Sequence, residues 1–250
     1  MDSYAIVTGA SKGIGREISA LLAKKGYKLI LVARSAAELE ELAAQLPGEA
    51  LHFAIDLSEV GAAKRVAEFC KNLPVSILVN NAGYGLWSNF EESDIGQQLN
   101  MLQLNINAVI ELTYYLLPQL KKQPSYILNV SSTAAYQAVP TLASYAASKA
   151  FVLSFSRALR VELKGMVSVS CLCPGPTDTG FAKRAGMDSL AEFAEKFNMR
   201  PDEVAKIGLE GMFNQKAEII PGFLNKLSAT GSRYINKSLI ERITASLYKK

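Results

Sequence analysis

Short apolar runs alternate along the chain with longer stretches in which apolar residues recur every three or four positions. Residues 5–7 (AIV), 29–33 (LILVA), 51–55 (LHFAI), 76–79 (SILV), 126–130 (YILNV) and 167–172 (VSVSCL) are brief, continuous and rich in Val, Ile and Leu. Strands covered on both faces read this way. Segments 13–26, 36–46, 59–73, 94–120 and 143–164 carry the helical period instead. Strand then helix, repeated, predicts right-handed βαβ units and a parallel sheet.

That order fits an α/β doubly wound parallel sheet, a Rossmann fold, with a C-terminal helical extension. No linker rich in Gly, Ser or Pro divides the chain, so residues 1–250 are expected to form one domain. After about residue 175 the alternation fades. Residues 175–200 hold Phe181, Met187, Phe193, Phe197 and Met199 and are the expected substrate lid, although the same residues could pack as core of short helices. Pro201-Asp202-Glu203 opens a helix, since Pro suits the first turn and acids favour its N-terminus. Residues 218–220 (EII) are expected to close the sheet edge. Residues 222–250 form the extension, with Ile235, Leu239, Ile240, Ile243 and Leu247 at near-helical spacing.

Composition narrows the class. Half the residues are hydrophobic, at 49%, which excludes a disordered chain. Three cysteines exclude a disulfide-stapled module and, with no leader pattern, favour the cytoplasm. No apolar run reaches the roughly 20 residues needed to span a bilayer. The net charge of +4 is unevenly placed: residues 216–250 hold seven Lys or Arg against two acids. The basic end is either a solvated helix face or a site for an anionic partner. A nucleic-acid role is not expected, because the cations do not cluster with aromatics.

The first strand runs into Thr8-Gly9-Ala10-Ser11-Lys12-Gly13-Ile14-Gly15. Glycines at this spacing permit a tight strand-to-helix turn, and phosphates sit at the following helix N-terminus. The second strand ends in Ala33-Arg34-Ser35, where an acid would usually hold a ribose 2′-hydroxyl. A guanidinium there suits a 2′-phosphate, and Lys12 offers a second positive charge. NADP(H) is the expected cofactor.

Tyr145 and Lys149 are four residues apart at the start of a predicted helix, so they share one face. A free phenol has a pKa near 10. An ammonium group beside it favours the phenolate and makes Tyr145 a usable acid or base. Ser132, at the end of the fifth strand, is placed to hydrogen-bond a carbonyl oxygen. Asn80-Asn81-Ala82-Gly83 and Pro174-Gly175-Pro176-Thr177-Asp178-Thr179 end the fourth and sixth strands at the same edge, where ligands bind in such sheets.

These motifs in this order resemble the short-chain dehydrogenase/reductase family: TGASKGIG (8–15), Asp56-Leu57, NNAG (80–83), Asn105 in LNINA, Ser132, YAASK (145–149) and PGPTDT (174–179). The resemblance covers about residues 3–180. It implies Tyr145 as general acid in carbonyl reduction, Lys149 lowering the Tyr145 pKa and holding the nicotinamide ribose, Ser132 polarising the carbonyl, and Asn105 anchoring a water of a proton relay. It places Asp56 and Leu57 at the adenine, Asn81, Ala82 and Gly83 on the ribose side and Thr177 at the carboxamide; with Gly9, Ser11, Lys12, Gly13, Ile14, Gly15, Arg34, Pro174 and Gly175 these are the expected cofactor-binding residues. NNAGYGLW, PGPTDTGF and Pro221-Gly222-Phe223-Leu224-Asn225 are similar to a bacterial branch of general carbonyl and ketoacyl-type reductases. The family's dimer pairs the helices corresponding to 94–120 and 143–164, so a homo-oligomer is expected.

The expected reaction is reduction of a small-to-medium, hydrophobic ketone or aldehyde. Two other readings stand beside it: a non-catalytic NADP(H)-binding regulator, and a 3-oxoacyl-type reductase with a carrier-bound substrate. His52 is read as structural, since nothing places it near Ser132. Cys171-x-Cys173 lacks the further Cys or His that a zinc site needs. Tyr84, Trp87 and Phe90 either line a pocket or pack their own loop.

Overall fold

The computed structural model describes residues 2–186, 198–232 and 235–247. Among the described residues seven strands form one parallel sheet: β1 (Tyr4–Thr8), β2 (Lys28–Ala33), β3 (Ala50–Ala54), β4 (Val75–Asn80), β5 (Ser125–Val130), β6 (Val167–Leu172) and β7 (Glu218–Ile219). Their order is β3-β2-β1-β4-β5-β6-β7. The chain therefore reverses direction of growth beside β1, between β1 and β4. This switch point opens a crevice at the C-terminal ends of the strands.

Helices cover both faces, as buried parallel strands require. On one side Ile6, Ile30, Val32, Leu78 and Ile127 pack with α3 (Ala62–Phe69) and α5 (Ala108–Leu120). On the other, Val7, Leu29, Leu31, Val79 and Leu128 pack with α1 (Gly13–Lys24), α2 (Ala36–Gln45) and α8 (Pro201–Phe213). Successive residues of each strand supply opposite faces. Pro201 begins α8, with Asp202 and Glu203 in its first turn. The remaining helices are α4 (Ile95–Leu102), α6 (Ala143–Glu162), α7 (Phe181–Ala185), α9 (Phe223–Gly231) and α10 (Lys237–Leu247).

Two expected helices differ in extent. The segment 59–73 is helical only over α3, because Gly61 stands at φ +75° before it. The segment 94–120 is not one helix: a π-type turn over Gln103–Asn107 separates α4 from α5. Such turns insert one residue into the helical ladder and re-aim its side chain. Here the re-aimed residue is Asn105, which is buried. The sheet-edge expectation at 218–220 is met by β7, which pairs Glu218 with Cys171 and Ile219 with Leu172.

Between β4 and β5, Asn80 and Asn129 are register partners. Asn80 Nδ2 donates to Asn129 Oδ1 at 2.8 Å, and Asn129 Nδ2 donates to Ser156 Oγ of α6 at 2.9 Å. This buried polar ladder fixes α6 against the sheet and so fixes the helix that carries Tyr145 and Lys149. Among the described residues, no helix is long and apolar enough to cross a membrane.

Candidate active site

A cavity of about 1120 Å³ lies along the C-terminal edge of the sheet. One end is the glycine turn, where Gly9, Ser11, Lys12, Gly13 and Ile14 contribute to the wall. Gly9 and Gly13 hold φ of +63° and +55°, a region that side-chain-bearing residues rarely enter. A Cβ on Gly13 would stand 2.7 Å from the Thr179 side chain. Gly15 stands behind the turn rather than in the wall, and a Cβ there would meet the Gly9 carbonyl at 2.3 Å. Asn81 braces the turn from β4: its Nδ2 donates to the carbonyls of Thr8 (2.9 Å) and Gly9 (3.2 Å). No side chain caps α1 at Lys12. The first turn of α1 thus faces the cavity with its own backbone dipole, which favours an anion. The cradle fits a dinucleotide pyrophosphate.

Beyond the turn, Val32, Ala33, Arg34, Ile55, Asp56, Leu57 and Ala82 continue the wall. Arg34 is 69% exposed, and its guanidinium reaches Asp56 Oδ2 at 3.8 Å. The other Asp56 oxygen accepts from the Ser58 backbone N–H and hydroxyl, at 2.9 and 2.7 Å. Lys12 Nζ lies 2.7 Å from Glu38 Oε1. Both predicted cations therefore stand at the same end of the cavity, each beside a carboxylate.

At the far end α6 presents Tyr145 and Lys149, one helical turn apart and both buried. Lys149 Nζ donates to the Val130 carbonyl at 3.0 Å. Burial brings its pKa down to about 8, against a smaller opposing pull from Cys171 and Cys173. Those two cysteines lie behind it with sulfurs 3.8 Å apart. Ser132 Oγ accepts from the Ala134 N–H at 3.1 Å, which leaves its own hydrogen to donate. The neighbouring Ser131 instead donates to the Lys149 carbonyl at 2.6 Å. Both serines line the cavity.

Asn105 sits one layer behind. Its Nδ2 donates to the Tyr84 carbonyl (3.0 Å) and Ser148 Oγ (3.1 Å), and its Oδ1 accepts from the Tyr84 N–H (3.2 Å). The π-type turn thus ties α4–α5 both to the loop after NNAG and to α6. Gly83 lies close above, since a Cβ there would stand 2.9 Å from Asn105 Oδ1 and 3.3 Å from Lys149 Nζ. Pro174, Gly175 and Thr177 line the opposite wall. The Thr177 hydroxyl turns back to the Gly175 carbonyl at 3.0 Å.

The two open aromatic alternatives resolve differently. Tyr84 lines the cavity, Trp87 is buried with Met101, Val139, Leu142 and Tyr145, and Phe90 is exposed. Phe181 faces the cavity with its ring 5.4 Å from that of Tyr145, whereas Met199 packs against the sheet core. Met187, Phe193 and Phe197 lie outside the described residues. His52 is on β3, exposed and away from the cavity. Sequence reasoning missed the wall formed by Asn225 and Ser228 of α9 and Thr244 of α10. The PGFLN element was visible, but nothing local says that it folds back over Gly175, where a Cβ would meet Asn225 Oδ1 at 2.4 Å.

Comparison with known proteins bears on the family and the fold. The family profile described as short chain dehydrogenase matches residues 3–190. The chain is 30% identical to mouse 17-beta-hydroxysteroid dehydrogenase type 3 over 99% of its own length and 83% of that protein. A short-chain dehydrogenase from Sphingobium yanoikuyae in complex with NADPH superposes with a TM-score of 0.82 at 26% identity, covering 95% of this chain and 94% of that one. A 3-ketoacyl-(acyl-carrier-protein) reductase from Brucella melitensis complexed with NADH gives 0.79 at 28% identity, covering 88% and 96%. The chain belongs to the short-chain dehydrogenase family of oxidoreductases.

Proposed function

We propose that this protein is an NADP(H)-dependent reductase of a small-to-medium, hydrophobic ketone or aldehyde. The observation that carries the reading is one cavity with the glycine turn and Arg34 at one end and Ser132, Tyr145 and Lys149 at the other. A bound NADPH would supply the hydride. Tyr145 Oη gives its proton to the carbonyl oxygen as that oxygen gains charge. Ser132 Oγ donates a hydrogen bond to the same oxygen. The Lys149 ammonium favours the phenolate left behind and would help hold the nicotinamide ribose of a bound cofactor. Asn105 holds the layer behind Lys149 and anchors a water for proton return. Arg34, with Lys12, would hold the 2′-phosphate of a bound NADPH. Tyr84, Val139, Leu142 and Phe181 give the substrate end its apolar surface.

Titrating NADPH against NADH by nicotinamide fluorescence tests the cofactor, and a carbonyl panel assayed with Tyr145→Phe as control tests the chemistry. NADPH binding at least about tenfold tighter, a difference of about 1.4 kcal/mol, supports the reading. Equal binding overturns the role given to Arg34. Tight NADPH binding without reduction of any carbonyl favours the non-catalytic regulator. Reduction confined to carrier- or coenzyme A-linked 3-oxoacyl groups selects the ketoacyl alternative.

The same reading includes a homodimer. Ile95, Leu99, Tyr114, Tyr115 and Phe151 expose an apolar surface on α4, α5 and α6, and two such faces would cover one another. Light scattering at the mass of one chain would remove that part.

A further inference from the structure

The first helix of the C-terminal extension is turned inside out, and the second adds one large exposed apolar side chain. In α9, Phe223 and Leu227 share a face by their i, i+4 spacing and are 79% and 59% exposed. The inward face carries Asn225 and the buried Ala229. In α10, Leu239 is 51% exposed, while Thr244, on the opposite side, is buried. A helix seated on a water-soluble surface places its large apolar residues inward. In α9 small and polar residues point in and the large apolar ones point out; α10 adds the exposed Leu239, while its Ile240, on the Thr244 face, is half-buried. Ile235, between the helices, is exposed as well.

Cations border this apolar surface. Lys226, Lys237 and Arg242 are all exposed. The last 35 residues carry seven Lys or Arg against Glu218 and Glu241, a net charge of +5. Of those acids, Glu218 faces inward: it accepts from Tyr136 Oη and pairs with Arg157, each at 2.7–2.8 Å. The same helices supply Leu224, Asn225, Ser228 and Thr244 to the cavity wall, so the surface adjoins the site.

We propose that α9 and α10 seat on the surface of an anionic phospholipid bilayer, with Phe223, Leu227 and Leu239 entering the acyl boundary and the cations meeting the headgroups. Apolar side chains on one face and Lys or Arg beside them are the two attractions by which helices lie in a membrane interface. An acidic protein partner would use the cations but not three protruding apolar side chains. Given the reductase reading, an apolar carbonyl compound dissolved in the bilayer would reach the cavity across the wall these helices form.

Co-sedimentation of the full chain with phosphatidylcholine vesicles, with and without phosphatidylglycerol, tests the surface without cofactor or substrate, so it stands or falls apart from the enzymatic reading. The expected result is binding about tenfold or more tighter to the anionic vesicles, weakened by salt. Phe223→Ser/Leu227→Ser/Leu239→Ser should abolish it while NADPH binding and circular dichroism stay unchanged. Lys226→Glu/Arg242→Glu, which alters only exposed side chains, should lower it severalfold and serves if the triple variant does not fold. Four outcomes overturn the proposal: no sedimentation with anionic vesicles, equal binding to neutral ones, binding of an acidic acyl carrier protein without vesicle binding, or dissociation of an oligomer by the triple variant without vesicle binding.

Discussion

Lys149 Nζ stands 5.8 Å from the centre of the Tyr145 ring and is held there by the Val130 carbonyl. Burial disfavours its charge and sets its pKa near 8. The native chain therefore holds fewer protons at this position than the unfolded chain between about pH 8 and 10.5. Its native state carries a cost on the order of 3 kcal/mol at pH 7, relieved as pH rises through this window. Lys149→Met should lose carbonyl reduction and yet be as stable as wild type or more so at pH 7. Its stability relative to wild type should fall by about 2 kcal/mol between pH 7 and 10, read from urea melts. A constant difference would show that Lys149 keeps its charge in the folded protein, with a pKa that burial does not lower.

The same lysine sets a pH limit on turnover. Above about pH 8 it loses the charge that favours the Tyr145 phenolate. Carbonyl reduction by wild type should decline on the alkaline side of that value in a kcat profile, with NADPH saturating.

Arg34 and Lys12 differ in how available they are. Arg34 is well exposed and its carboxylate lies at 3.8 Å, whereas Lys12 is in close contact with Glu38 at 2.7 Å. Arg34→Asp should remove about tenfold or more of any NADPH preference. Lys12→Ala should cost less, and Glu38→Gln, which frees Lys12, should tighten NADPH about threefold with NADH unchanged. Fluorescence titration separates the three variants.

Asn105 links three segments through one buried amide, and an alanine there would leave the Tyr84 backbone groups without their partner. Asn105→Ala should destabilise by about 2–3 kcal/mol and lower kcat more than it raises the KM for NADPH. Stability and kinetics measured on one preparation check both halves.

Phe181 faces Tyr145 across the cavity. Phe181→Ala should raise KM for large apolar ketones several-fold and leave small ones nearly unchanged. Loss of kcat on every ketone alike would instead make Phe181 a support for the Tyr145 ring.

What the sequence determined by itself is local and periodic. Continuous Val, Ile and Leu runs marked the first six strands, because a strand covered on both faces has no polar side to show. Gly9, Gly13 and Gly15 marked the turn, because only glycine fits the backbone there. Tyr145 and Lys149 declared themselves through helical spacing, and Ser132 through its place at a strand end. The tertiary structure decided what depends on packing between distant segments. The π-type turn at Asn105 has no periodic signature, since one helical pattern runs through it; it exists because Asn105 bonds the Tyr84 backbone and Ser148. The pairing of Lys12 with Glu38 and of Arg34 with Asp56 joins residues that only the βα turns bring together. Asn225 and Thr244 became cavity wall because the chain returns over Gly175 after β7. The period of residues 235–248 announced an amphipathic helix; that Phe223 and Leu227 of α9 and Leu239 of α10 turn outward was settled by what lies beneath these helices, a cavity edge that accepts an amide and a hydroxyl.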